Sequence, residues 1–236
     1  MRRAGQVVAG MLEYLSKMAR PGLKTKELEA EASQFLREHG ATPAFLGYRG
    51  FPATICVSVN EEVVHGIPGE RKLQAGDAVS IDAGAVVEGF YADAATTVTI
   101  GTAAPNVRRL IETTTRALTE GIAQAVEGGR LSDISHAVQQ VVEREGFGVV
   151  RDFVGHGIGR ALHEEPQIPN FGPPNVGPRL KAGMVLAIEP MVTMGHYAVE
   201  VLRDGWTAVT KDRSWAAHAE HTIAITERGA DVLTKL

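Results

Sequence analysis

Four acids and one histidine stand out because each sits where an unpaired charge would be costly. In Val79-Ser80-Ile81-Asp82 the large side chains of Val79 and Ile81 face one way, so Asp82 faces the other. Leu186-Ala187-Ile188-Glu189 repeats the pattern, with Glu189 opposite Leu186 and Ile188. Asp93 and Glu220 lie in Ala92-Asp93-Ala94-Ala95 and Ala219-Glu220-His221-Thr222, segments without Lys or Arg. Burying an unpartnered carboxylate is expensive, and four gathered together cannot all stay ionised unless cations sit among them. A metal centre is the expected partner. His156, flanked by Gly155 and Gly157, offers an imidazole that nothing crowds, and His163 follows seven residues later. Four carboxylates with one or two imidazoles make a mostly hard donor set suited to Mn, Fe(II), Co or Zn. Bridging carboxylates could hold two such ions ~3.5–4 Å apart, an arrangement that activates a hydrolytic water.

The elements that must position these residues fall into two similar series. Val7, Val8, Met11, Leu12, Leu15 and Met18 recur at helical spacing until Pro21-Gly22. Thr25 is the expected cap of a second helix, with Leu28, Ala32, Phe35 and Leu36 inward and Gly40 at its end. A loop follows, then the β-branched run Thr54–Val59 and further short strands as far as Ile100. From Pro105 the order restarts. Val107, Leu110, Ile111, Leu118, Ile122 and Val126 mark a long helix, and Ser132 is the expected cap of the next, which ends at Gly146. Gly40 and Gly146 lie 106 residues apart, and Leu73-Gln74-Ala75-Gly76 matches Leu180-Lys181-Ala182-Gly183 at an offset of 107. Asp93 and Glu220 are offset by 127, which places the extra residues in a longer loop between Glu189 and Glu220. Two copies of a helix–helix–strands unit, roughly residues 1–104 and 105–236, are expected within a single domain spanning 1–236.

Composition narrows the setting. Among 236 residues, 24 Lys+Arg against 28 Asp+Glu give a net charge of −4, and no block of like charge occurs. That argues against nucleic-acid or membrane-surface binding. No apolar run approaches the ~18 residues of a membrane span. Val7–Leu12 is too short for a signal-peptide core and is followed at once by Glu13. The single cysteine, Cys56, excludes an internal disulfide and a Cys-rich zinc module, so a reducing, cytoplasmic setting is expected. Cys56 itself, on an apolar strand, reads by default as a small buried residue.

Three segments carry a resemblance that covers essentially the whole chain. Val59-Asn60-Glu61-Glu62-Val63-Val64-His65-Gly66-Ile67-Pro68, Gly155-His156-Gly157-Ile158-Gly159 with His163-Glu164-Glu165-Pro166, and Ile188-Glu189-Pro190 are similar to signature segments of type I methionine aminopeptidases. The spacings of 11, 63, 33 and 31 residues along Asp82, Asp93, His156, Glu189 and Glu220 agree with it. The resemblance implies the α/β (α+β) pita-bread fold, two pseudo-symmetric helix–helix–strand halves around a curved antiparallel sheet. It implies removal of the initiator methionine from peptides and nascent chains, with a small second residue preferred.

By the same resemblance Asp82, Asp93, His156, Glu189 and Glu220 ligate two divalent ions (Co, Mn, Fe(II) or Zn). Asp93 and Glu220 would bridge them, Asp82 would bind one, and His156 and Glu189 the other. Glu189 would move the proton, His163 would steady the oxyanion, His65 would meet the scissile amide, and the substrate amine would bind beside Asp82. Tyr48, Phe51, Cys56 and Trp206 would line the methionine pocket, and the carbonyls of Asn60 and Glu62 could seat a monovalent cation. A monomer in transient contact with the ribosome is the expected working form. The chain begins inside the first helix, as a trimmed or naturally short form would. It lacks a Cys-rich zinc extension, and the gap from Glu189 to Glu220 leaves no room for the helical insertion of type II enzymes. A prolidase or proline-specific aminopeptidase shares fold and ligands and is the alternative enzyme; a non-catalytic pita-bread binding protein is the alternative of another class.

Overall fold

The computed structural model describes residues 1–235. Two helices, α1 (Arg2–Met18) and α2 (Thr25–Glu38), lead into strands β1 (Thr42–Pro43), β2 (Ile55–Val59), β3 (Glu62–Val64), β4 (Ala78–Val87) and β5 (Phe90–Thr99). Helices α3 (Pro105–Ala123) and α4 (Leu131–Arg144) then precede β6 (Gly148–Val149), β7 (Gly155–Gly157), β8 (Glu164–Ile168) and β9 (Val185–Ile188). The chain closes with β10 (Met191–Thr193), β11 (Val199–Val201), β12 (Ala208–Thr210), β13 (Ala216–His218), β14 (Glu220–Thr226) and β15 (Gly229–Val232).

Helix α1 forms because Ala4, Val8, Met11, Leu12 and Leu15 make one buried stripe. That stripe packs with Leu28, Ala32 and Leu36 of α2 on the face of β4 that carries Val79, Ile81, Ala83 and Ala85. Asp82, of opposite parity, is thereby turned to the other face. Neither expected helix cap holds. Lys24 precedes α2, and its N–H donates to the Glu27 carboxylate at 2.8 Å, while Thr25 Oγ1 instead accepts the Gly69 N–H. Arg130 precedes α4 in the same way, its N–H bonded to Asp133 at 3.0 Å, and the Ser132 hydroxyl accepts from Val176. An acid three residues into the helix outcompetes the hydroxyl because it answers both the free N–H and the helix dipole. Val126 lies beyond the end of α3 and is 44% exposed, not inward, since Gly128 at φ +82 turns the chain there.

The two series are tied down by the same bonds. The Gly22 N–H donates to the Leu73 carbonyl at 2.8 Å, and the Gly128 N–H donates to that of Leu180 at 2.9 Å. Lys24 bridges to Lys72 as Arg130 bridges to Arg179.

Nine strands form one antiparallel sheet. Seven run in the order β1-β4-β5-β14-β9-β7-β8, with β2 beside β4 and β15 beside β14. The β4–β5 hairpin turns at Glu88-Gly89, both at positive φ (52° and 76°), the geometry of a tight two-residue loop. The halves meet at β5 and β14, where Glu220 pairs with Ala95 and His221 with Ala94. The segment between Glu189 and Glu220 is not a long loop as expected. Its β-branched runs, Val192-Thr193 and Val209-Thr210 among them, form β10–β13, which recruit β6 and β3 into two three-stranded sheets.

One side chain bolts the seam. Thr222 Oγ1 donates to the Asp93 carbonyl at 2.7 Å and accepts the Asp93 N–H at 3.0 Å, fully buried. Thr222→Val would orphan both backbone groups. We expect it to lower the free energy of unfolding by about 2–3 kcal/mol, measured by urea denaturation of the metal-free protein.

Candidate metal centre

The register sets the site. Across three neighbouring strands Asp82 faces Ala95, and Ala95 faces Glu220, so the two acids flank a methyl group on one face of the sheet. Asp93, two residues before Ala95, shares that face. On the other side of β14, His221 pairs with Ile188, which brings Glu189 level with Glu220; His156 pairs with Ala187. Asp93, His156 and Glu220 each bring one donor atom within 4.8 Å of the others. Glu189 Oε1 lies 3.6 Å from His156 Nε2.

The glycines around His156 have a different use from the one expected. A Cβ on Gly157 would stand 2.2 Å from the Glu165 carbonyl oxygen, and one on Gly155 would stand 2.4 Å from that of Ala187. They let β8 and β9 close onto β7 and so hold His156 at the sheet face. His156 Nδ1 lies 2.8 Å from the Gly157 carbonyl, which can only accept, so Nδ1 carries the proton and Nε2 presents its lone pair to the acids. Burial lowers the pKa of this ring to about 4, keeping it neutral. That is the tautomer and charge state of a metal ligand.

The acids are shifted the other way. Burial raises Asp82 to about 7. Asp93 stands well above the ordinary range through burial and the charges of Glu220 and Asp82, as do Glu189 and Glu220 through burial and neighbouring carboxylates. Asp82 Oδ1, Asp93 Oδ1 and Glu220 Oε1 are buried without any hydrogen-bond partner. No Lys or Arg forms an ion pair with any of the four among the described residues. Orphaned oxygens, raised acids and a correctly protonated imidazole together fit divalent cations.

These side chains open into one cavity of about 160 Å³. The eleven residues expected as metal ligands, catalytic groups or methionine-pocket lining all border it: Tyr48, Phe51, Cys56, His65, Asp82, Asp93, His156, His163, Glu189, Trp206 and Glu220; Asn60 and Glu62 do not. Its apolar end is built by Phe51, packed edge-on to Trp206 at 5.1 Å, with Tyr48 and buried Cys56. Burial and the charge of Asp82 raise the Cys56 thiol well above its usual pKa, so it meets the cavity as a neutral group. His163 Nδ1 is 2.9 Å from the Tyr48 hydroxyl, and its ring lies 4.1 Å from that of His156. His65 follows β3 at φ +60, a strained conformation for a non-glycine residue. It is locked there because Gly66 donates to Ser58 Oγ and accepts from the Val57 N–H. Burial and the His163 charge hold the His65 pKa at about 4. The carbonyl of Asn60 accepts the Ala216 N–H at 2.8 Å.

Sequence reasoning missed Phe45, Arg49 and Leu162, which also line the cavity. They sit in irregular segments where no periodicity says which way a side chain points. It also assigned no role to His218, which is buried beside Glu189, although its parity with Glu220 was a signal.

A cavity that joins a cation-binding cluster to an apolar pocket is the equipment of a metal-dependent hydrolase, and the chain belongs to metallopeptidase family M24, whose profile matches residues 1–227. Within that family it is similar to methionine aminopeptidase 1 of Bacillus subtilis, 55% identical over 236 residues that make up 100% of this chain and 95% of that protein. The methionine aminopeptidase of Clostridium perfringens is 52% identical over 99% of this chain and 94% of its own. The crystal structure of methionine aminopeptidase from Thermotoga maritima superposes with a TM-score of 0.98 at 48% identity, over 100% of this chain and 95% of that one. Prolidase from Pyrococcus furiosus shares the fold alone, with a TM-score of 0.81 at 22% identity over 100% of this chain and 62% of that one. The curled antiparallel sheet is thus the expected pita-bread fold. Among the described residues no helix is long and apolar enough to cross a membrane.

Cations entering this cluster must displace protons, Asp82's among them, so binding weakens as the pH falls through 7. We expect the apparent affinity for Mn(II) to drop about tenfold per pH unit below 7 for each proton released. Calorimetry in two buffers of different ionisation enthalpy counts those protons.

Proposed function

We infer that the chain is a metal-dependent aminopeptidase that removes N-terminal methionine from peptides and nascent proteins, with a small second residue preferred. The observation that carries this is one cavity lined both by the buried carboxylate–imidazole cluster and by an aromatic pocket. We assign Asp82, Asp93, His156, Glu189 and Glu220 as the residues that would hold two divalent ions of the Mn, Fe(II), Co or Zn class. Bound there, the ions supply Lewis acidity and bring a water's pKa to near 7. A monovalent cation at the Asn60–Glu62 turn belongs to the same reading.

The chain's own groups do the rest. Glu189, at the edge of the cluster and 14% exposed at its side chain, takes the proton of the attacking water and returns it to the leaving amine. His163 Nδ1 lies 2.9 Å from the Tyr48 hydroxyl; with Tyr48 as the donor, Nε2–H is left to meet the oxygen on which negative charge develops. His65, neutral and wedged against Trp206 and Phe153, offers an N–H to the scissile amide. Phe51, Trp206, Tyr48 and Cys56 take the methionine side chain, whose thioether packs well against aromatic edges. Pocket and cluster line the same cavity, so one residue with a free amine would meet both. The same reading makes the enzyme a cytoplasmic monomer that meets its substrates as they leave the ribosome.

Met-Ala-Ser supplied with Mn(II), Co(II) or Fe(II) is expected to be cleaved to free methionine, and an Xaa-Pro dipeptide is expected to be left intact. Hydrolysis of the Xaa-Pro substrate alone would move the chain to the proline-specific enzymes. No hydrolysis of either, together with metal bound, would favour a binding protein. Asp93→Ala and Glu220→Ala are each expected to abolish turnover and to lower bound metal in elemental analysis.

A further inference from the structure

One buried polar side chain beside the cluster is left without a task. His218 is 1% exposed, and neither ring nitrogen has a hydrogen-bond partner. Its Nε2 lies 3.7 Å from Glu189 Oε2, while Glu189 Oε1 lies 3.6 Å from His156 Nε2. The Glu189 carboxylate therefore stands between two imidazoles, one at each oxygen.

The placement of His218 is built rather than incidental. Thr97 Oγ1 donates to the His218 carbonyl at 2.7 Å and accepts its N–H at 2.9 Å. The Ser80 hydroxyl, 2.7 Å away, completes this buried pair. The seam of the molecule uses the same clamp once more, where Thr222 grips both backbone groups of Asp93. A threonine from each half thus fixes the backbone of one residue of the other, Asp93 in the cluster and His218 beside it. On the far side, His218 pairs with Met191, two residues beyond Glu189, so histidine and acid are set by one strand register.

We propose that His218 is a positioning residue for Glu189: its Nε2–H bonds Glu189 Oε2 and keeps Oε1 turned toward His156 and the cations. Closing the gap from 3.7 Å to the ~2.9 Å of an N–H···O bond takes a side-chain shift of under an ångström. The arrangement commits Oε2 to His218 and leaves Oε1 facing the cluster, so the proton the carboxylate carries has one address. This rests on the reading of Glu189 as proton carrier. The role parallels the outer partners that orient metal-site ligands elsewhere, whose loss costs about 10–100-fold in affinity or activity.

The test uses the full chain loaded with Mn(II) for kinetics and with Zn(II) for NMR. His218→Leu is expected to cut kcat on Met-Ala-Ser by about 10–100-fold with little change in KM, and to weaken Mn(II) binding by a similar factor in calorimetry. His218→Gln, which keeps an N–H donor, is expected to recover most of both. In the unaltered Zn(II) protein, long-range ¹H–¹⁵N correlation is expected to show His218 protonated at Nε2; this reading does not depend on the stability of any variant. A ring protonated at Nδ1 alone, or a His218→Leu enzyme with native kcat and Mn(II) affinity, overturns the proposal. Glu189→Gln separates the two levels. If it is inactive while His218→Leu is native, only the role of His218 fails; if it keeps turnover, the proton-carrier reading fails and takes this one with it.

Discussion

Asp82, Asp93, Glu189 and Glu220 gather at one end of a cavity of about 160 Å³, and the rest of the structure is arranged around the cost of holding them there. Two ionised carboxylates 4 Å apart repel by about 4 kcal/mol at an effective dielectric constant near 20, and desolvation adds to it. Without cations the cluster relieves that strain by keeping protons, which is why every one of its acids is shifted upward. Protons neutralise the acids but leave oxygens orphaned; divalent ions answer both charge and coordination. The site is thus poised to exchange bound protons for metal, and that exchange makes its chemistry responsive to pH near neutrality.

Such a cluster needs a rigid frame, since its acids would otherwise swing apart. The frame is a sheet seam. Asp93 and Glu220 come from strands that belong to different halves, and their separation is set by backbone pairing at Ala95–Glu220 rather than by side-chain packing. Thr222 and Thr97 add a second fastening, each holding the backbone of a residue in the opposite half. Ala95 pairs between Asp82 and Glu220 and sets no bulky side chain between the two acids. The helices stand behind, on the face that carries Val79, Ile81 and Ala83, where they bury area without touching the chemistry.

Much of this was legible in the sequence because strand parity reports direction. Once Val79 and Ile81 are inward, Asp82 can only face the other way, and the same holds for Glu189. The duplication was legible because turns need glycine: Gly76 and Gly183 hold φ of 97° and 92° at equivalent corners. Other features depend on contacts distant in sequence. A hydroxyl beside a helix start looks like a cap until an acid three residues on takes the N–H, as Glu27 and Asp133 do. The strands between Glu189 and Glu220 are three residues each, too short for alternation to declare itself. Phe45, Arg49 and Leu162 reach the cavity from irregular backbone, where no rule of spacing applies. The glycines flanking His156 were seen, but the strands they accommodate, β8 and β9, lie elsewhere in the chain.

On the proposed reading, the two ends of the cavity would set selectivity through opposite physics. At the apolar end the Cys56 thiol stays neutral, and Phe51, Trp206 and Tyr48 present ring edges and faces, so that end rewards a flexible, polarisable side chain and rejects charge. At the other end three buried carboxylate oxygens have no partner, so it rewards cations and whatever small basic group reaches them. A residue inside a polypeptide satisfies only the first, since its nitrogen is an amide without useful basicity. Only a chain terminus presents an apolar side chain and a free amine on the same α-carbon. On that reading, restriction to N-terminal residues needs no separate gate: it would follow from placing an apolar pocket and a carboxylate cluster in the same cavity.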